Sequence, residues 1–151
     1  MFVIVSNKTE NNTKKVKKFV NTLSKEDKDY IGSGYWVDSD HVISRAMVMD
    51  GPELYGFADC YQLPKYPGAG MIVLAVGENI RKKGWATKLV KQIVSAVKKK
   101  AKELDIRYLI FHVDKGNTKS KNLAEKLGFS YAGESKEHEG VLEYQLDLAG
   151  R

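Results

Sequence analysis

The 151-residue sequence has one cysteine, three prolines, two tryptophans and no long apolar run. The single thiol, Cys60, cannot form an internal disulfide. A zinc cluster needs more thiols, or histidines at ligand spacing, and His41, His112 and His138 are not spaced in that way. No stretch approaches the ~20 apolar residues of a membrane span, and the apolar residues 1–6 are too few for a secretion signal. We therefore expect a cytoplasmic protein with no metal site, no disulfide and no membrane anchor.

The charge balance is the first positive feature. The sequence has 25 lysines and arginines against 19 acidic residues, which gives a formal net charge of +6 and an isoelectric point near 9.2. Such a balance favours an anionic ligand or partner, although a lysine-coated surface explains it equally well. Among anionic partners, nucleic acid is the least expected. The sequence has no helix-turn-helix, RNP or zinc-finger pattern, and its basic residues are spread over several helices.

Hydrophobic periodicity predicts a single domain over residues 1–151 with the element order β-α-α-β-β-β-α-β-α-β-β. Strands are predicted at residues 1–6, 42–49, 54–63, 71–76, 106–113, 131–134 and 141–148, and helices at 13–23, 25–31, 86–104 and 118–127. Hairpins alternate with crossover helices in this order, so we expect an α/β or α+β fold with a mixed sheet and helices on its faces.

The strongest chemical signal lies between a strand and the longest predicted helix. The strand, residues 71–76, is apolar at every position, as in a central strand buried on both faces. Gly84 and Ala86 follow at the start of the helix, where the backbone can approach a ligand and the first-turn amides are unpaired donors. The basic residues 81–83 stand at the same place. These features favour a bound phosphate, although a glycine such as Gly84 also commonly begins a helix with no bound ligand.

Two motifs resemble the signatures of the GNAT superfamily of N-acetyltransferases. Residues 81–86 (RKKGWA), which follow Val76, are similar to the family motif (Q/R)-x-x-G-x-(G/A) between a strand and a helix. After the next strand, the family often has an asparagine, a small residue, an aliphatic residue, a tyrosine and then Gly-Phe. The positions that fit this second pattern are Asn117, Ser120, Leu123, Gly128 and Phe129. The sequence is therefore identified as similar to this family over residues 70–131.

The resemblance implies a mostly antiparallel sheet in which two central strands splay apart to hold acetyl-coenzyme A. The pantetheine arm would pair with the strand backbone, and the pyrophosphate would rest on the amides of the loop. The implied coenzyme-binding residues are Leu74, Ala75, Val76, Arg81, Lys82, Lys83, Gly84, Trp85, Ala86, Thr87, Asn117, Ser120 and Leu123. The Val76 amide would also stabilise the oxyanion that forms when an amine attacks the thioester.

The implied reaction is direct acetyl transfer, in a ternary complex, to a primary amine of a small molecule, a peptide or a protein. The partners would be acetyl-coenzyme A and this amine, and the protein would be a monomer or a homodimer. Tyr30, Tyr35, Trp36, Asp38 and Asp40 belong to a region that caps the acceptor cleft in the family. Its acidic residues favour a cationic acceptor, although loops use aspartate for turns just as readily.

Two departures from the family pattern leave the proton transfers open. Many members have a tyrosine at the position of Ala124, and its phenol protonates the departing thiolate. Candidate replacements are Ser120, Tyr131 and Tyr144, or the thiolate leaves unassisted, since a thiol pKa of about 8.5 makes it a fair leaving group. Gly70 stands where some relatives have a glutamate base. The remaining candidate bases are His112, Asp114, Asp59 and Glu134.

These departures also support an alternative function. The chain retains both coenzyme motifs but lacks the tyrosine and the glutamate. It would then be a coenzyme-binding module with weak or no catalysis that acts in regulation or partner binding. The other conspicuous residues have ordinary interpretations. Trp85 is expected to pack on its helix or near the adenine, and Cys60 is expected in the core.

Overall fold

The computed structural model describes residues 1–25, 27–28, 37, 39–62, 64–136 and 138–148. The strands in these ranges are β1 (Phe2–Ser6), β2 (Val42–Asp50), β3 (Glu53–Tyr61), β4 (Ala69–Val76), β5 (Tyr108–Asp114), β6 (Ser130–Glu134) and β7 (Val141–Asp147). The helices are α1 (Glu10–Thr22), α2 (Trp85–Lys100) and α3 (Thr118–Lys126), with a 3-10 turn at Glu78–Ile80. The predicted element order is confirmed for all of these elements.

The strands form one sheet in the order β1-β2-β3-β4-β5-β7-β6. The paired strands are antiparallel except β4 and β5, which are parallel because α2 carries the chain back across the sheet between them. The mixed, mostly antiparallel sheet is therefore confirmed. The helix predicted at 25–31 falls largely outside the described residues; at its start, Ser24 Oγ accepts a hydrogen bond from the Asp27 N–H at 3.1 Å.

The helices cover opposite faces of the sheet. Helix α1 begins with a capping box between Thr9 and Asn12, and its apolar side packs on β3, where Phe19 meets Phe57 edge to face with ring centroids 6.2 Å apart. Helix α2 buries its apolar stripe, Leu89, Val90, Ile93 and Val97, against the other face. Helix α3 lies on that second face and is followed by Gly128, whose φ of 90° is the left-handed conformation expected at a helix end. We call the two faces the α1 face and the α2 face.

A fully buried ion pair holds α1 to the sheet. Arg45 of β2 donates to both carboxylate oxygens of Asp59 of β3, at 2.9 and 2.8 Å, and both side chains are 0% exposed. The same guanidinium donates to Asn12 and Thr13 of α1 and to the carbonyl of Val37. Asp59 was a candidate base in the sequence, but this pairing commits its carboxylate to the fold.

Cys60, beside Asp59 in β3, is fully buried, as expected for a core residue. Burial raises the pKa of its thiol far above the usual range, and the neighbouring Asp59 carboxylate acts in the same direction. The thiolate needed for nucleophilic chemistry is therefore strongly disfavoured. None of the helices in the described ranges combines the length and the apolar character needed to cross a membrane.

Candidate active site

Strands β4 and β5 separate partway along their length. Their parallel register ends at the pair Ile72 and Phe111, although β4 continues to Val76 and β5 to Asp114. Burial changes at the same point, because β4 is buried up to Ile72 whereas residues 73–76 are partly exposed. The predicted burial of the whole run 71–76 is therefore wrong for residues 73–76, where the neighbouring strand diverges. The splayed central strands implied by the family resemblance are confirmed.

The backbone of β4 faces this opening at alternate residues. The Gly77 N–H donates to the Tyr55 carbonyl of β3 at 2.7 Å, so Gly77 faces β3. Because successive strand residues direct their N–H and C=O groups to opposite edges, those of Val76 and Leu74 face away from β3 and into the splay. Ala75 faces β3, where its register partner is Phe57. Of the three strand residues expected to bind pantetheine, two therefore present backbone groups to the opening.

Arg81 ties the end of β4 to the segment after α1. Its Nε donates to the Val76 carbonyl at 3.1 Å, and its Nη2 pairs with the Asp27 carboxylate at 2.7 Å. The carbonyl of Val76 is thus engaged, while its N–H faces the splay as an oxyanion-stabilising donor requires. In this arrangement Arg81 positions the strand end and its guanidinium is directed back towards Val76 and Asp27.

The loop before α2 turns through two left-handed residues. Lys82 has φ 66° and Gly84 has φ 81°. A Cβ at Gly84 would meet no atom within 4 Å, so the position requires the left-handed backbone and not the missing side chain. Gly84 is the N-cap of α2 and, among the described residues, no side chain caps this terminus. The first-turn amides of residues 85–87 are therefore oriented for an anion, and the exposed Lys82 and Lys83 lie beside them.

Trp85 lies in the first turn of α2. It is partly buried and packs against the core, and the Lys88 ammonium lies 4.7 Å from its ring centroid. Ala86 and Thr87, in the same turn, are partly exposed. The first turn of α2 is thus anchored by the indole while its amide end remains accessible.

The second family motif begins just after β5, at the start of α3. Asn117 is the N-cap of α3: its side-chain oxygen accepts a hydrogen bond from the Ser120 N–H at 3.1 Å, and its own N–H donates to the Asp114 carbonyl at 2.9 Å. Leu123 is partly buried one turn further along. Ala124 is 0% exposed and belongs to the core, so a phenol at this position would have to displace packed side chains.

The two candidate tyrosines lie on the strands beyond β5. Tyr144 of β7 is the register partner of Phe111, and its ring meets that of Tyr131 of β6 at 5.7 Å. Burial, with the charges of Glu125 and Tyr131, raises the pKa of Tyr144, so its hydroxyl stays protonated. Tyr131 is 57% exposed and lies one strand further from the splay.

A polar group lies on the α1 face at the mouth of the splay. His112 is the first β5 residue beyond the β4 register, and its neighbour Val113 is buried on the α2 face, so the imidazole projects from the α1 face. Its Nε2 lies 3.4 Å from Glu143 Oε1 of β7, and the other Glu143 oxygen accepts a hydrogen bond from Gln145 at 2.7 Å. The His138 ring centroid is 6.4 Å from that of His112.

The sequence singled out His112 but not Glu143, Gln145 or His138. The available signal was the alternation of β7, in which polar residues 143, 145 and 147 share one face. Two other candidate bases lie at the surface: Asp114 is exposed at the end of β5, and Glu134 pairs with Lys115 at 3.2 Å. In the described ranges, no group of three or more His, Cys, Asp or Glu side chains is arranged to hold a metal ion.

A cavity of about 650 Å³ lies beside the end of β4, within the usual size range of small-molecule sites. It is bordered by the second half of α1, the β2–β3 turn and residues 77–79. Its charged lining is mixed, with Lys15 and Lys18 from α1 facing acidic residues that include Glu53 and Glu78. Of these, Lys15 is engaged by the Pro52 carbonyl at 2.9 Å.

Several solved structures share this fold. The GNAT domain of S. lividans PAT has a TM-score of 0.73 and 16% identity, with 95% of this chain and 89% of that chain covered. The ribosomal-protein-S18-alanine N-acetyltransferase from Escherichia coli has a TM-score of 0.69, 12% identity and coverage of 97% and 94%. A chimera of spermidine N-acetyltransferase SpeG from Vibrio cholerae and hSSAT has a TM-score of 0.69, 14% identity and coverage of 99% and 98%. At these identities the likeness establishes the fold alone.

The sequence itself places the chain in a family. No curated protein sequence matches it. The model of the acetyltransferase (GNAT) family, however, matches residues 14–129, which contain both motifs, the splay and the loop before α2. The chain therefore belongs to the GNAT acetyltransferase family.

Proposed function

We propose that the protein is an N-acetyltransferase that transfers an acetyl group from acetyl-coenzyme A to a primary amine by direct attack in a ternary complex. The splay between β4 and β5 carries the proposal. It presents the backbone groups of Leu74 and the N–H of Val76 at one edge, and a pantetheine arm has amides that such groups satisfy. The uncapped α2 terminus, with Lys82 and Lys83 beside it, would receive the pyrophosphate, and Arg81 would join them only by leaving its Asp27 partner.

The second motif supports the other wall of the coenzyme site. Asn117, fixed as the cap of α3 at the end of β5, would contact the arm, with Ser120 and Leu123 further along the same helix. Lys82 and Lys83 would offset the phosphate charge. The Val76 N–H, facing the splay, would donate to the oxyanion of the tetrahedral intermediate.

An amine acceptor is supported by chemistry on the α1 face. An alkyl ammonium has a pKa of about 10.4 and needs a base before it attacks, and His112 lies at the mouth of the splay with Asp114 two residues beyond. Two of the similar structures are named as enzymes that acetylate amines, a protein alanine in one and spermidine in the other. The same reaction class is proposed here, in the cytoplasm, with a monomer or homodimer as the active species.

The leaving thiolate has two routes in this proposal. Tyr144 has a raised pKa and is therefore protonated, and Tyr144, Ser120 and Tyr131 are the candidate donors. Unassisted departure is the second route, since the thiol pKa of about 8.5 permits it near neutral pH. The fully buried Ala124 contributes to neither route.

Calorimetry with acetyl-coenzyme A, followed by a thiol-release assay with polyamines, amino acids and peptides with free N-termini, tests this function. We expect binding, and acceptor-dependent thiol release with at least one class of amine. Binding without release across the panel would favour the alternative of a coenzyme-binding module. No binding would refute the coenzyme site.

A further inference from the structure

We propose that Glu143 is a positioning residue for His112 and that the two form the proton acceptor for a cationic alkyl amine. The inference deepens the proposed function and rests on it. It assigns a role to a β7 carboxylate that belongs to neither family motif, and it names the acceptor as an amine that arrives protonated.

The location of the pair is the first argument. Ile72 and Phe111 are the last residues paired across β4 and β5, so His112 is the first β5 residue beside the opening. Its side chain is 30% exposed and that of Glu143 is 27% exposed, which leaves both accessible from the α1 face. The coenzyme phosphates are proposed at the start of α2, a helix that packs on the opposite face. An acceptor that enters on the α1 face meets the imidazole at the splay.

The hydrogen-bond order is the second argument. Glu143 is the direct cross-strand partner of His112, and its Oε1 lies 3.4 Å from Nε2. Gln145 donates to Oε2 at 2.7 Å and so holds the carboxylate in place. A carboxylate accepts and cannot donate, so it selects the tautomer with the proton on Nε2. The lone pair on Nδ1 is then the basic site of the ring.

The proton transfer balances without any further reactant. Nδ1 of His112 takes a proton from the acceptor ammonium, so that an N–H bond of the substrate breaks and an N–H bond on the ring forms. The freed amine lone pair attacks the thioester carbon and forms the C–N bond of a tetrahedral intermediate. The nitrogen then loses its second proton to solvent, and the C–S bond breaks with its electrons on sulfur as the carbonyl re-forms. The imidazolium, held beside the Glu143 carboxylate, returns its proton to solvent or to the thiolate.

Other charged groups surround the pair. His138, in the turn between β6 and β7, is a titratable neighbour of His112, with ring centroids 6.4 Å apart. Asp114 follows on β5, where Lys115 and Glu134 pair with each other at the surface. Asp147 lies on the same face of β7 as Glu143, opposite Tyr108. Asp147→Asn is therefore a matched control, because it removes the same charge from the same strand and face.

Steady-state kinetics with the best amine of the panel test the pair. We expect His112→Gln to lower kcat about 100-fold and Glu143→Gln about 10-fold, with KM for acetyl-coenzyme A unchanged, as for loss of a base and of its orienting group. Glu143→Asp should recover most of the rate, and Asp147→Asn should stay within about twofold of wild type, as is usual for an exposed charge. The pH profile of kcat/KM should lose one ionisation in His112→Gln.

A second measurement does not depend on turnover. Long-range ¹H–¹⁵N spectra of the wild type above neutral pH should show the Nε2–H tautomer of His112, and Glu143→Ala should lose that preference. Equal effects of Glu143→Gln and Asp147→Asn on rate, or an unchanged tautomer in Glu143→Ala, would overturn the inference. If the wild type releases no thiol with any amine, the proposed function fails, and the tautomer still decides whether Glu143 orients the ring.

Discussion

Two cross-strand pairs on the α1 face show how similar local arrangements serve different ends. Arg45 and Asp59 are register partners on β2 and β3, and His112 and Glu143 are register partners on β5 and β7. The first pair lies under α1, is 0% exposed and has further partners for its guanidinium. The second lies beside the splay and is partly exposed. Because the first pair is fully buried, it stabilises the fold. Because the second pair is partly exposed, a substrate can reach it.

The largest effect expected from this difference concerns stability. Asp59→Asn leaves the Arg45 charge buried without its carboxylate, and breaking a buried pair in this way costs about 3–5 kcal/mol. Glu143→Gln should change the free energy of unfolding by no more than about 0.5 kcal/mol, as for most surface substitutions. Urea unfolding of both variants measures the contrast. Similar losses in the two would mean that the open pair is also structural.

The second prediction concerns the loop before α2. Gly84→Glu places an anion at a left-handed position beside the α2 amides, and loss of two charge-assisted hydrogen bonds of ~1.5 kcal/mol each weakens coenzyme binding ~100-fold. Gly51→Glu is the control, because Gly51 is also left-handed, at φ 57°, and its Cβ would also meet nothing within 4 Å. Calorimetry with acetyl-coenzyme A compares the two proteins. Equal affinities would remove the loop as the phosphate site.

The third prediction concerns a phenol introduced at the buried position 124. Ala124→Tyr forces a ring into a fully buried site and should cost about 1–3 kcal/mol of unfolding free energy, with turnover raised by no more than a few fold. Turnover of Tyr131→Phe, Ser120→Ala and Ala124→Tyr from pH 6 to 9 shows which donor operates. A gain of about 100-fold from the new phenol would show that, in the wild type, the thiolate leaves without a proton donor.

The smallest effect concerns the exposed lysines of the loop. The double variant Lys82→Ala and Lys83→Ala should weaken coenzyme binding a few fold at low salt and less at high salt, since exposed charges are screened over about 10 Å at 0.1 M. Titrations at two ionic strengths test this. A loss that is the same at both would indicate altered loop geometry, since Lys82 is itself left-handed.

The sequence was sufficient to predict the helices and strands but not the separation of β4 from β5. Helical and strand periodicity placed α2 and the strands of the sheet, because burial on one face leaves a period in the chain. The apolar run 71–76 carries no sign that β5 leaves β4 after Ile72, and the splay was expected from the family resemblance alone. Glu143 was missed because it stands 31 residues from His112, and only the strand register brings them together.

Arg81 joins the proposed coenzyme loop to the segment that follows α1. A single guanidinium links the Val76 carbonyl at the end of β4 to the Asp27 carboxylate after α1. A phosphate that recruits Arg81 competes with Asp27 for the same donors, so coenzyme binding and the placement of Asp27 are thermodynamically linked. If the link holds, Asp27→Asn releases Arg81 from its ion pair and changes the dissociation constant of acetyl-coenzyme A, which calorimetry measures.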